Sequence, residues 1–464
     1  MSQQKKEREH WNSKIGFILA AAGSAIGLGN IWKFPYVVGD NGGAAFIIIY
    51  LLCVILLGLP VIISEIIIGR TTQLNPVGAF KALSKSRLWP MVGGMGILAG
   101  FIILSFYAVV AGWSAGYIIE AISGHFYNFT TPEAAGEHFT ELTENVTWIV
   151  SWFAVFMGLT VSIVYFGVQK GIELGSKILM PLLFIILFIL MINGLTLDGA
   201  SEGLKFLFHP DWSKITGGTI LEALGQAFFT LSLGMGAMLT YGSYMSKKDN
   251  VPTASAEIVF LDTMIAVVAG IAIFTAVFST GQSPTVGAGL IFHTLPVVFT
   301  KMTGGYFFSI IFFLLLAIAA LTSTISLLEV VVAYFVDEKG WARHKAVIVF
   351  GGVTFLIGLP SALSFNVLSD FHIFGLTFFD LADYFSANIL LPFGGMMISI
   401  FIGWIWGVDN ALKELYNGAE NIFDKTPYLI PIWTFLIKYV APISIFIILI
   451  NSVGLLNIIL DLFN

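Results

Sequence analysis

The chain has 464 residues, of which 57% are hydrophobic and only 11% charged. A soluble protein of this length needs a far more charged surface, and no polar stretch is long enough to form a separate soluble domain. The formal net charge is −6, and the basic residues are scattered over many loops, which argues against a nucleic-acid interface.

The composition predicts an all-α polytopic membrane protein with one transmembrane domain over 1–464. Apolar runs long enough to cross a bilayer as helices fall at 15–38, 44–69, 89–123, 146–167, 172–194, 217–245, 256–279, 304–336, 344–363, 378–407 and 428–461. That is about eleven spans. In hydrocarbon the backbone satisfies its own hydrogen bonds, so runs of this length are helices and not barrel strands. The basic start and the small-residue stretch AAAGSA resemble a signal peptide. The apolar run continues past that stretch into GLGN and IWKFPY, so the first span is expected to be retained.

Lys and Arg in the loops set the expected orientation. Seventeen of them, Arg70 and Arg343 among them, share the N-terminus and one set of loops, while Lys205, Lys214 and Lys301 occupy the other set. The N-terminus is therefore expected in the cytoplasm of a cell-membrane protein, and an odd number of spans puts the C-terminus outside. The acidic loop 120–145, which has no Lys or Arg, falls outside as well. Cys53 is the single cysteine, so no disulfide forms within the chain.

There is an internal echo. Gly27-Leu28-Gly29 lies near the middle of the first span, and Gly234-Met235-Gly236 near the middle of the sixth. Paired glycines weaken a helix and free its backbone. Five spans separate the pairs, so the second copy runs the opposite way through the membrane. Two interrupted spans at matching places of inverted halves point to a mid-membrane binding site. Close helix packing on small residues is the alternative for either pair alone.

These residues carry a resemblance. The stretch WNSKIGFILAAAGSAIGLGNIWKFPYVVGDNGGAAF looks like the first helix of the neurotransmitter:sodium symporter family. GQAFFTLSLGMGAMLTYGSY is similar to its sixth helix, and LTSTIS to its eighth. The match runs in order along nearly the whole chain, and among members it is most similar to the bacterial amino-acid transporters with eleven helices. The resemblance implies the leucine-transporter fold: two inverted five-helix repeats, about 15–194 and 217–407, with helices 1 and 6 unwound at mid-membrane and helix 11 at about 428–461. It implies alternating access around helices 1 and 6. Relatives with a twelfth helix use it for contacts that this chain lacks, so a monomer or weak dimer is expected.

The resemblance also implies a site. One sodium ion would take the Ala25 carbonyl, Asn30, Thr230 and Asp262. A second would take the Gly23, Ile26 and Ala319 carbonyls with the Thr322 and Ser323 hydroxyls. An isolated Thr-Ser pair in a helix ordinarily bonds to its own previous turn; the surrounding motif is what points to an ion. Most relatives have Asn in place of Asp262, and an ionisable group at mid-span suggests function. Asp262 is expected to supply the buried negative charge that chloride supplies elsewhere, although Tyr50, Gln226 and Thr230 match positions around that chloride.

The substrate carboxylate would meet Leu28 and Gly29 N–H groups at a broken helix end, with Tyr107 donating its hydroxyl. Relatives that carry amines have Asp at the position of Gly27, so glycine there favours an amino acid. The ammonium would meet carbonyls around Phe229, Thr230 and Ser232. Ile103, Phe229, Met235, Ser323 and Leu327 would form a mostly apolar side-chain pocket, in which a flexible Met tolerates varied shapes. The expected substrates are hydrophobic and aromatic L-amino acids.

Gates complete the implied cycle. Lys33 and Asp383 match a charged pair outside the site, where relatives usually have Arg. Lys lacks the bidentate fork of Arg, which predicts a looser gate. Arg8 and Asp337 match the cytoplasmic pair, with Trp11 and Tyr244 beside them. Gly171 and Pro181 match a helix-5 feature whose cytoplasmic end unwinds. Glu65 matches a glutamate beside the broken sixth helix. Glu329 lies on the face of Thr322 and carries no assigned role. The reading competes with a proton-coupled transporter of the same fold and with a sensor. An enzyme is disfavoured: the 7 His residues lie mostly in loops or at span ends, and H-E-x-x-H is absent.

Overall fold

The computed structural model describes residues 9–282, 290–452 and 454–455. Among these residues every regular element is helical, and the only bridge joins Ile373 to Leu376. In chain order the main helices are α1 (Lys14–Ala25), α2 (Gly29–Asp40), α3 (Ala44–Thr72), α4 (Trp89–Ile122), α5 (Pro132–Glu144), α6 (Val146–Tyr165) and α7 (Val168–Leu195). They continue as α8 (Gly217–Thr230), α9 (Ala237–Gly242), α10 (Val251–Ser279), α11 (Thr294–Lys301), α12 (Gly305–Asp337), α13 (Arg343–Leu363), α14 (Phe378–Ile405) and α15 (Leu429–Ser452).

Nine of these helices are each long and apolar enough to cross a membrane. The pair α1 and α2, bent by 50° at its break, is long and apolar enough when taken together. The remaining expected span, 217–245, is not one helix. It is α8 and α9, of 14 and 6 residues, with 231–236 between them. At about 1.5 Å per residue neither piece reaches across a bilayer alone.

Local chemistry explains where the helices start and stop. Ser13 caps α1 by accepting from the Gly16 N–H over 3.0 Å, and Asn250 caps α10 by accepting from Thr253 over 2.9 Å. The α8–α9 break needs backbone that most residues avoid: Ser232, Gly234 and Gly236 have φ of 54°, 81° and 77°. At Gly234 a Cβ would also lie 2.2 Å from the Leu391 carbonyl oxygen, so only glycine fits.

Burial sorts the helices. The apolar window of α12 is 78% buried and that of α4 67%, against 28% for α6. The long α12 therefore forms the centre, packed along α4, and the broken α1 lies against α10 and α12. Arg70, at the end of α3, is wholly buried, contrary to its reading as a loop charge. It pairs with Glu414 over 2.8 Å and donates to the backbone carbonyls of Asp249, Glu414 and Asn417. Buried guanidinium groups need such a full set of acceptors.

Candidate functional site

The two breaks face one another at the middle of the bundle. Residues 26–28 leave the helix after α1, where Ile26 turns to an extended conformation with ψ 108°. Gly29–Lys33 then makes a wide turn, a form common at functional sites. Ser232, in the other break, donates to the Ser24 carbonyl over 2.8 Å. Gln226 of α8 donates to the Gly29 carbonyl over 2.8 Å. Side chains of the sixth span thus satisfy carbonyls on both sides of the first break.

Between them lies a narrow cavity lined by Ala25, Gly27, Gly29, Ile103, Tyr107, Phe229, Thr230, Ser232, Met235, Ser323 and Leu327, with Ser24 and Ser326. Ten of the eleven residues expected to bind substrate line it; the eleventh, Leu28, points its N–H at the Tyr107 hydroxyl over 2.8 Å. Gly27 has no room for a side chain: a Cβ would lie 2.4 Å from Ser323 Oγ and 2.6 Å from Tyr107 Oη.

Beside the cavity, Asp262 is fully buried in α10. Asn30 Nδ2 lies 2.8 Å from its Oδ1, Thr230 Oγ1 3.1 Å from the same atom, and Tyr50 Oη 3.5 Å from Oδ2. No Lys, Arg or His side chain among the described residues pairs with this carboxylate. A buried carboxylate with neutral partners alone is costly. Its neighbours are oxygen-rich, and the donor set suits a hard monovalent cation.

The residues expected at a second ion position lie close together. Thr322 Oγ1 is 2.9 Å from the Ala319 carbonyl and 3.4 Å from that of Ile26. Ser323 Oγ is 3.3 Å from the Ser24 carbonyl and 3.5 Å from that of Ala319. Gly23 lets α1 approach closely, since a Cβ there would be 3.1 Å from both Thr322 Cβ and Met180 Sδ. The Ile318 and Ala319 contacts are bonds to the preceding turn of α12, while the Ile26 and Ser24 contacts join α12 to the first span.

Over residues 8–131 and 136–459 the chain matches the sodium:neurotransmitter symporter family. It is 43% identical to YhdH, an uncharacterized sodium-dependent transporter of Bacillus subtilis (strain 168), over 98% of this chain and 100% of that one. A second uncharacterized sodium-dependent transporter, from Haemophilus influenzae, is 38% identical over 97% of this chain and 100% of its own. The crystal structure of MhsT in complex with L-phenylalanine superposes with a TM-score of 0.88 at 47% identity, covering 96% of this chain and 100% of that one. The chain belongs to the sodium:neurotransmitter symporter family. It is a sodium-dependent symporter and a multi-pass membrane protein, and its relatives are transporters rather than enzymes.

The symporter's gates depart in part from expectation. A second cavity is lined by Trp32, Lys33, Tyr36, Phe379 and Asp383, and shares Phe229 and Tyr107 with the first. These two rings form the wall between the cavities. Lys33 and Asp383 do line one space, but no ion pair within 4.0 Å joins them. The Lys33 ammonium instead stands 4.7 Å from the centre of the Phe229 ring, a cation–π contact.

At the opposite end, Arg8 lies outside the described residues. Asp337 accepts the Asn75 N–H over 3.0 Å. Trp11 seals the end of the sixth span: its indole donates to the Tyr241 carbonyl over 2.9 Å and its backbone N–H to the Tyr244 carbonyl over 3.1 Å. Tyr244 Oη donates to Glu329 over 2.6 Å, and Arg343 clamps the same carboxylate through both of its terminal nitrogens. Sequence reading counted Arg343 only as a topogenic charge. Its partner is a buried acid on another helix, which loop position does not reveal.

Glu65 of α3 reaches the α8–α9 break, where it accepts the Gly234 N–H over 2.7 Å. Gly171 and Pro181 lie in α7, which is helical across both. Gly171 is needed for packing, as a Cβ would be 2.0 Å from the Ile163 carbonyl oxygen. The wide turn Val168–Glu173 ends at Glu173, which accepts from Asn12, Ser13 and Lys177 and so ties α7 to the start of α1.

Proposed function

We propose that this symporter imports neutral hydrophobic and aromatic L-amino acids together with two sodium ions, without needing chloride. The observation that carries the reading is the cavity around Gly27. Tyr107, Thr230, Ser232 and Ser323 give it polar groups, the Tyr107 hydroxyl accepts the Leu28 N–H beside it, and Ile103, Phe229, Met235 and Leu327 line it with apolar surface. A carboxylate fits beside Tyr107 and the broken helix end, and an apolar side chain fits the remainder. The complex of MhsT with L-phenylalanine supports that substrate class. The rat sodium- and chloride-dependent taurine transporter, 28% identical over 91% of this chain and 74% of that one, is a more distant relative.

In this reading one sodium ion sits by Ala25, Asn30, Thr230 and Asp262. The other sits by Gly23, Ile26, Ala319, Thr322 and Ser323. Asp262 stands among Asn30, Thr230 and Tyr50, donors that would otherwise face an anion. Its charge balances a buried cation in place of chloride. Phe229 closes the substrate cavity on the outer side. On the inner side, opening requires Trp11 to leave Tyr241 and Tyr244, and α7 to loosen between Gly171 and Pro181. The excess of Lys and Arg supports a cytoplasmic N-terminus and, with an odd number of spans, a C-terminus outside.

Uptake of radiolabelled phenylalanine and leucine into proteoliposomes tests this. An inward sodium gradient should drive accumulation, potassium should not replace sodium, and gluconate should replace chloride without loss. Better competition by Asp or Lys than by Phe or Leu would remove the substrate claim. A proton-coupled reading stands second because Asp262 and Glu65 are both buried acids at the breaks. Uptake driven by a pH gradient in the absence of sodium would favour it.

A further inference from the structure

The end of α4 that is farther from Trp89 carries a cluster that the transport site does not use. Glu120 lies 13 residues beyond Tyr107 on the same helix, or about 20 Å at 1.5 Å per residue. After α4 the chain turns at Gly124, whose φ of 73° suits glycine, and begins a single helical turn at His125. Helix α5 then brings His138 back to the same place.

All three side chains meet at one atom. Glu120 Oε2 is 2.5 Å from His125 Nδ1 and 3.0 Å from His138 Nε2. One ligand atom from each residue lies within 4.8 Å of the other two. The Glu120 side chain is 10% exposed and that of His138 20%, whereas His125 is 50% exposed. The outward side is therefore open to water.

We propose that Glu120, His125 and His138 form a binding site for a zinc-class divalent metal ion. Two imidazoles and one carboxylate are a donor set that zinc takes, with water in the fourth position. Calcium and magnesium prefer oxygen donors throughout and are poor matches. The surroundings also suit a ligand set. His138 presents Nε2 to the cluster, and its other nitrogen, Nδ1, faces the Glu141 carboxylate at 3.9 Å. That carboxylate is too distant for a hydrogen bond and adds only negative charge beside the ring. Phe129 packs 5.1 Å from the His138 ring and holds it in place. A bound ion would replace the shared contact on Glu120 Oε2 and pin α5 to the end of α4.

Zinc binding to the purified full chain, free of any polyhistidine tag, tests the site through competition with a metallochromic chelator. The wild-type chain should bind one zinc, and excess calcium or magnesium should not displace it. Glu120→Gln, His125→Gln and His138→Gln should each abolish that stoichiometric binding. Zinc should raise the thermal midpoint of the wild-type chain in a concentration-dependent way and leave the three variants unmoved. Equal midpoints without metal would show that the variants are folded. Absence of stoichiometric zinc in the wild-type chain would overturn the proposal. So would binding that persists unchanged in all three variants, which would place the ion elsewhere.

Discussion

The Asn30 amide nitrogen lies 2.8 Å from the Asp262 carboxylate and 3.1 Å from the Asp262 carbonyl oxygen. This contact ties the broken first span to α10 at the point where a sodium ion is proposed. Asp262→Asn should therefore act on the ion before the substrate. Loss of one charged contact costs about 1.5–3 kcal/mol, which weakens sodium roughly ten- to a hundredfold. Sodium titrations of phenylalanine binding, in chloride and in gluconate, would measure it. The variant should regain affinity with added chloride, while the wild-type chain should be indifferent. A variant as indifferent as the wild type would show that Asp262 does not stand in for the anion.

Gly27 leaves no space for a methyl group against Ser323 and Tyr107. Gly27→Ala should cost about 1–3 kcal/mol through overpacking. The cost should appear as a lower thermal midpoint of the substrate-free protein and, because Tyr107 and Ser323 have to shift, as weaker phenylalanine binding. Equal affinity in Gly27→Ala would mean that the substrate does not lie against this backbone.

Glu65 holds the freed Gly234 N–H, a charge-assisted bond across the sixth-span break. Glu65→Gln keeps the shape and removes the charge, so about 1.5–3 kcal/mol of local support is lost. Uptake in proteoliposomes should fall by roughly tenfold or more while detergent-purified protein stays monodisperse. Full uptake in the variant would reduce Glu65 to a packing role.

Arg343 and Glu329 form a buried pair beside Tyr244. Removing one partner strands the other charge, at a cost of about 3–5 kcal/mol. Glu329→Gln alone should lower the thermal midpoint clearly. Glu329→Gln combined with Arg343→Met should recover much of that loss, as a double-mutant cycle would record. Simple addition of the two single effects would show that the pair is not coupled.

Much of the fold was legible because the membrane imposes a coarse rule. Long apolar runs have to be helices, and eight of them appear within a few residues of their expected bounds, while the last, expected at 428–461, runs Leu429–Ser452 with its expected end outside the described residues. The glycine pairs marked both breaks. At the second break the irregular backbone extends further, to Ser232 with its φ of 54°. That residue carries no local signal, because serine rarely adopts the conformation and does so here under tertiary contact with Ser24.

Charged residues were harder to read. Lys33 was expected to face Asp383 and instead covers the Phe229 ring. Arg70 and Arg343 were counted as loop charges, yet each pairs with a buried acid distant in sequence. Helix ends look alike in sequence whether they face water or another helix. Glu120, His125 and His138 lie in a loop whose acidity was noted and whose convergence was not.

By itself the sequence determined that the chain crosses a membrane many times, that two of its spans break, and which family motifs lie at the breaks. These depend on hydropathy and local backbone freedom, which neighbouring residues decide. Only the tertiary structure decided which carbonyls, hydroxyls and carboxylates share a cavity, and which charges pair. Those depend on distances between helices set by packing, as where Gly27 admits Tyr107 and Ser323 against the first break.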